Sequence, residues 1–201
     1  MDSITALHSR ADHFRIDFTG ETKPGLVEDR RTKGGLMARR VFFSFHFAND
    51  FWRTQQVRNI GALEGQTLCT ANAWEEVKRK GKASIEEWID DNMYGKSCVV
   101  VLVGSETASR PWVIREIVKG WDAGKGVVGI RINKLLGHDG NSCAAGSNPF
   151  DEVGYGNTGK KLSSIAKLVT PSGTDSKAVY DSIKNGIESW IEDAIAIRSK
   201  N

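Results

Sequence analysis

Apolar residues along this chain alternate between unbroken runs and helical spacing. Arg40–Phe47 (RVFFSFHF) is an apolar, aromatic run that predicts a strand. Asn49–Leu63 then has helical character, with Asn49 or Asp50 as the capping residue. A short strand is expected at Thr67–Cys69, leading into a long polar loop that holds Trp74. Ser84-Ile85-Glu86-Glu87 has capping-box spacing ahead of an amphipathic helix that Gly95 ends. Ser97–Val103 (SCVVVLV) is the β-branched pattern of a strand covered on both faces, and Gly126–Ile132 (GVVGIRI) is another. Between them, RPWVIREIVKG begins a helix at Pro111. Its apolar stripe is Val113, Ile114, Ile117, Val118 and Trp121, with the i,i+4 neighbours Trp112 and Glu116 off that stripe. A tryptophan turned away from its own helix's stripe must pack on a loop, a partner or a ligand. A last helix over about 175–198 carries Val179, Ile183, Ile187, Trp190, Ile191 and Ala194 at helical spacing.

Strand-helix alternation with such strands predicts an α/β fold, a central parallel sheet with helices on both faces. Residues 1–36 are polar, broken by glycine and without periodicity, and read as a disordered extension ahead of a domain at 37–201. Met37, just before the first strand, offers an alternative translation start. Residues 133–174 read as an irregular insertion, its first half rich in glycine and asparagine, before the helix at 175–198. Ligands of parallel sheets bind beyond the carboxyl ends of the strands. Ser44–Phe47, the Trp74 loop and Gly104–Pro111, leading to Trp112 and Glu116, converge at that end.

Composition narrows the class. The chain's 201 residues suffice for one core, and 39% hydrophobic with 26% charged residues is a globular composition. No apolar run approaches the roughly 20 residues that cross a bilayer. The start MDSITALHSRADHF lacks a secretory layout, so a cytoplasmic location without a membrane partner is expected. Cys69, Cys98 and Cys143 show no metal-site spacing, and His138 with Cys143 supplies only two ligands, so no structural metal is expected. A net charge of +3, with KRKGK at 78–82 as a short solvated cluster, gives no nucleic-acid face.

Gly124–Gly129 has the form G-x-G-x-x-G but ends a helix and enters a strand, opposite to a dinucleotide fingerprint, so it reads as a helix cap. Glu116 alone reads as a solvated helix glutamate paired with Arg115 or Lys119. Its place near Trp112 at the carboxyl end of the sheet gives it a second reading, as the border of a cleft. Trp74 is either a loop anchor or a cleft wall, and His46 either a half-buried histidine or a ligand contact. Ser44 and Ser105 have no assignable histidine–acid pair, which argues against a serine hydrolase.

In order and spacing, RVFFSFH, VVVLVGSETASRPWVIREI and GVVGIRIN resemble the Toll/interleukin-1 receptor (TIR) family. The opening strand, Trp74-Glu75, Gly104-Ser105, the Arg-x-Trp-Val run, Asn148–Asp151 and Gly154-Tyr155 are similar to the TIR-like proteins of Thoeris anti-phage systems. That resemblance, over about 37–155, implies a flavodoxin-like three-layer sandwich. It also implies an enzyme that cleaves the nicotinamide glycosidic bond of NAD and makes a cyclic or modified ADP-ribose. This product would activate a separate effector after a phage trigger, with the enzyme a homo-oligomer when active. NAD is then a substrate, and no cofactor is implied. The family's glutamate maps to Glu116, with Ser44, Phe45, His46, Trp74, Ser105 and Trp112 as substrate contacts, Phe45 and Trp74 stacking on base rings. One carboxylate beside an oxocarbenium-like ribose suffices, because bound nicotinamide is already cationic and leaves without protonation. The chain departs from the family at Thr70, where many members carry aspartate, and at His46-Phe47, where some carry a basic residue. Two other readings stay open: a non-catalytic TIR interaction module anchored by Trp74 or Trp112, and a nucleoside deoxyribosyltransferase-like enzyme.

Overall fold

The computed structural model describes residues 39–60, 76–77, 79–156 and 159–201. The expected N-terminal extension, Met37, the strand at Thr67–Cys69, Thr70 and the Trp74 loop lie outside the described residues.

Strand β1 (Val41–Phe45) is shorter than the apolar run, because the chain turns into helix α1 (Phe47–Arg58) directly after His46. The amide of Asp50 already donates to the His46 carbonyl, so His46 takes the cap position and Asn49 and Asp50 lie within the first turn. Helix α2 (Lys82–Met93) likewise begins ahead of the expected capping box. Gly81, at φ 95°, precedes it and accepts from the Ile85 amide, so Ser84 lies inside the helix. Strand β2 (Cys98–Val103), helix α3 (Pro111–Asp122) and strand β3 (Gly126–Arg131) follow the sequence pattern closely. Beyond them, β4 (Gly154–Tyr155) and β5 (Lys160–Lys161) form a small antiparallel pair. The stretch that read as an irregular excursion also supplies β6 (Lys167–Val169), which pairs in parallel with Val128–Ile130 of β3. Helix α4 (Ser176–Arg198) is capped by Asp175, whose carboxylate accepts from the Ala178 amide.

The main sheet has the order β1-β2-β3-β6, all parallel. Alternating side chains divide between its two faces. Val41, Phe43, Val100, Leu102 and Ile130 pack with Val57 of α1 and with Val179, Ile183, Ile187 and Ile191 of α4. Phe42, Val99, Val101 and Val127 pack with Ile85 and Ile89 of α2 and Val113 and Ile117 of α3. The result is the α/β three-layer sandwich expected of a TIR, flavodoxin-like fold.

Helix α3 is seated unusually close to the sheet. A Cβ at Gly120 would lie 2.3 Å from Cγ2 of Val99, so only glycine allows this approach. The buried side is therefore Val113, Glu116, Ile117 and Gly120, while Ile114, Val118 and Trp121 are only partly buried. The stripe read from the sequence is rotated, and the rotation carries Glu116 inward.

Candidate active site

Ser44 is the next-to-last residue of β1, and strand alternation directs it to the face that α3 covers. It is 1% exposed, and Glu116 is 6% exposed. The Ser44 hydroxyl donates to Oε2 of Glu116 at 2.5 Å, joining the end of β1 to the middle of α3. Burial raises the Glu116 carboxyl to about 8, and the Ser44 hydrogen bond lowers it again only in part. Arg115 and Lys119, the neighbours that might have neutralised Glu116 on the helix surface, turn instead to Glu86 of α2. The solvated-glutamate reading is thereby overturned. A carboxyl group buried against one hydroxyl, with no paired cation among the described residues, is costly for stability and suited to chemistry.

The loop between β2 and α3 is fixed from below. Thr107, fully buried, accepts from the Gly104 amide at 2.9 Å and donates to the Leu102 carbonyl. Asp50 of α1 is fully buried against Gly104, where a Cβ would meet its carboxylate at 2.2 Å. Arg53 donates to Asp50, to the Leu135 carbonyl at 2.8 Å and to the Asn141 carbonyl at 2.9 Å. Arg131, the last residue of β3, donates to the Gly146 carbonyl at 2.6 Å, and Gly146 packs on the backbone of Gly104 and Ser105. The segment after β3 is thus tied over the carboxyl end of the sheet.

At the rim, Nδ1 of His46 lies 4.0 Å from Oε2 of Glu106, and the same carboxylate pairs with Arg110. Burial, followed by the Arg110 charge, holds the His46 imidazole below its usual range.

The structure brings Ser44 and Glu116 into direct contact and sets His46 and half-buried Ser105 on adjoining loops. Phe45 packs on the opposite face of the sheet, beside Phe47 at 5.8 Å between ring centroids. Trp112 is half-buried and packs on the core beneath α3. Trp74 lies outside the described residues. Sequence reasoning missed Asp50 except as a cap, and missed Arg53, Glu106, Thr107 and Arg110. Of these, only the i,i+4 pairing of Glu106 with Arg110 left a readable signal. Gly124, at φ 75°, ends α3, so the G-x-G-x-x-G string is a helix stop and strand entry here. Among the described residues no cluster of three or more histidine, cysteine or acidic side chains is placed to hold a metal, and no helix is long and apolar enough to cross a membrane.

Residues 42–136 match the family described as "Thoeris protein ThsB, TIR-like domain". The chain is also 37% identical over 134 residues to a protein of Bacillus cereus (strain MSX-D12) named "Putative cyclic ADP-D-ribose synthase ThsB1", a match covering 63% of this chain and 69% of that protein.

Proposed function

Because the chain belongs to the TIR-like family of Thoeris ThsB proteins, we propose that it cleaves the nicotinamide glycosidic bond of NAD and closes the ADP-ribose into a cyclic or related signal. The observation that carries this reading is the buried Ser44–Glu116 pair. A buried carboxyl group bonded to a hydroxyl at the carboxyl end of a parallel sheet is the arrangement that suits a catalytic group.

Burial favours the protonated form of Glu116. The pyridinium charge of bound NAD favours its ionised form, so substrate binding is coupled to loss of this proton. The ionised carboxylate accepts hydrogen bonds from the ribose hydroxyls and faces the positive charge that grows on the anomeric carbon as the carbon–nitrogen bond breaks. Nicotinamide departs neutral, taking the bonding electron pair. A nucleophilic atom of the same substrate's adenosine then attacks the anomeric carbon and closes the ring, with one proton released to solvent; attack by water gives linear ADP-ribose and likewise releases one proton. Ser44, donating to Glu116, keeps the carboxylate aimed during both steps. The product would couple the enzyme to its effector, with phage infection as the trigger and a homo-oligomer as the active form.

The test is incubation of the protein with NAD and infected-cell lysate, read by mass spectrometry. Glu116→Gln is expected to abolish nicotinamide release and the ADP-ribose product while preserving the folded state. Unchanged turnover would remove Glu116 from the mechanism.

A further inference from the structure

At the rim of the site, three charged or titratable side chains converge from two loops. His46 follows β1 at the cap of α1, Arg110 immediately precedes α3, and both lean on the single carboxylate of Glu106. This small cluster is poorly satisfied. Among the described residues, Nδ1 of His46 and Nε of Arg110 are both buried without a hydrogen-bond partner. Glu106, by contrast, is about half exposed, so its carboxylate swings into water at small cost. A nearly buried imidazole and a guanidinium edge with unused donor positions, sharing one loosely held anion, form a receptor for a larger anion.

The distance to the reaction centre fits such a role. Arg110 precedes Glu116 by six residues, about 9 Å along a helix axis. His46 lies two residues beyond Ser44 on β1, on the same loop side of the sheet. A ribose whose anomeric carbon meets Glu116 can therefore extend its 5′-phosphate toward His46 and Arg110.

Resting on the proposed activity, we infer that Arg110 and His46 bind the diphosphate of the dinucleotide, and that Glu106 occupies this position until substrate displaces it. Arg110 presents paired N–H groups to the phosphate oxygens, and His46 adds one N–H from Nδ1. Glu106 acts as a built-in competitor, setting how much substrate is needed to load the site. The three residues bind and position substrate, and none of them takes part in bond cleavage.

The experiment measures calorimetric binding of inorganic pyrophosphate and of ADP-ribose to the full chain and its variants. Arg110→Ala is expected to weaken both ligands at least tenfold, with Arg110→Lys recovering part of the loss. Glu106→Gln is expected to tighten both several-fold by removing the competing charge. Circular dichroism of each variant separates misfolding from lost binding, and Glu106→Gln, which gains affinity, cannot be explained by unfolding. Equal affinity of wild type, Arg110→Ala and Glu106→Gln overturns the inference, as does absence of pyrophosphate and ADP-ribose binding to both wild type and Glu106→Gln. In turnover, Arg110→Ala is expected to raise KM for NAD with little change in kcat, and to leave cleavage of nicotinamide riboside, which lacks the diphosphate, unchanged. Lack of any NAD cleavage by wild type would remove the proposed activity, while the binding measurements would still decide the anion site.

Discussion

Glu116 is the residue on which chemistry and stability pull in opposite directions. Its carboxyl is raised from 4.5 to about 8 in the folded protein, so folding favours the protonated form. The corresponding stability is complete below pH 4.5 and is lost as pH rises toward 8, at up to about 1.4 kcal/mol per pH unit. Glu116→Gln does not titrate. Its melting temperature should match wild type near pH 4.5 and exceed it increasingly toward pH 8, by up to about 5 kcal/mol of stability. Parallel thermal melts across that range check this. Under the proposed mechanism the same titration governs activity. If the ionised carboxylate acts, kcat/KM for NAD should rise with pH and level off above about 8. In Ser44→Ala the carboxylate loses its donated hydrogen bond, and the rising limb should shift upward by about one to two pH units, since such bonds to charged groups contribute roughly 1.5–3 kcal/mol. Little in the sequence announced this environment. Glu116 sits beside two basic residues in the chain, and both are drawn away to Glu86, a partner 29 or more positions distant.

At the level of elements, legibility followed burial. Strands β2 and β3 were readable because they are covered on both faces and hence apolar at nearly every position. Strand β6 was not, since three residues of an edge strand, Lys167–Val169, carry too little pattern to stand apart from a loop. The starts of α1 and α2 were misplaced for a related reason. Ser84 and Asn49 have capping chemistry, but the backbone bonds to His46 and Gly81 begin each helix earlier. The rotated stripe of α3 has its cause in one glycine, which a hydropathy pattern treats as neutral. Gly120→Ala sets a methyl group 2.3 Å from the stiff, buried Val99 side chain. It should destabilise the fold by roughly 1–3 kcal/mol and lower kcat/KM by moving Glu116 away from Ser44. A denaturant titration and steady-state kinetics on the same variant would show both effects, and loss of stability with unaltered kinetics would sever α3 placement from catalysis.

For the whole molecule, the parallel sheet supplies a floor and its carboxyl end supplies the chemistry. Arg53 of α1 bonds the segment after β3, Thr107 holds the loop after β2 to its own strand, and Gly146, bonded by Arg131, packs on Gly104 and Ser105. The Ser44–Glu116 pair thus rests on a strand and a helix, while His46, Ser105 and Arg110 stand on the loops above. Phe45 and Trp112, expected from the sequence as substrate contacts, are partly buried against the two cores. The central claim is that Glu116 drives conversion of NAD into an ADP-ribose signal. It is tested most directly by mass spectrometry of metabolites from phage-infected cells carrying either wild type or Glu116→Gln. The account predicts a product with the elements of NAD less nicotinamide in wild type alone, from variants present at equal folded abundance. The same product at equal yield from Glu116→Gln, or its absence from infected wild-type cells, would contradict it.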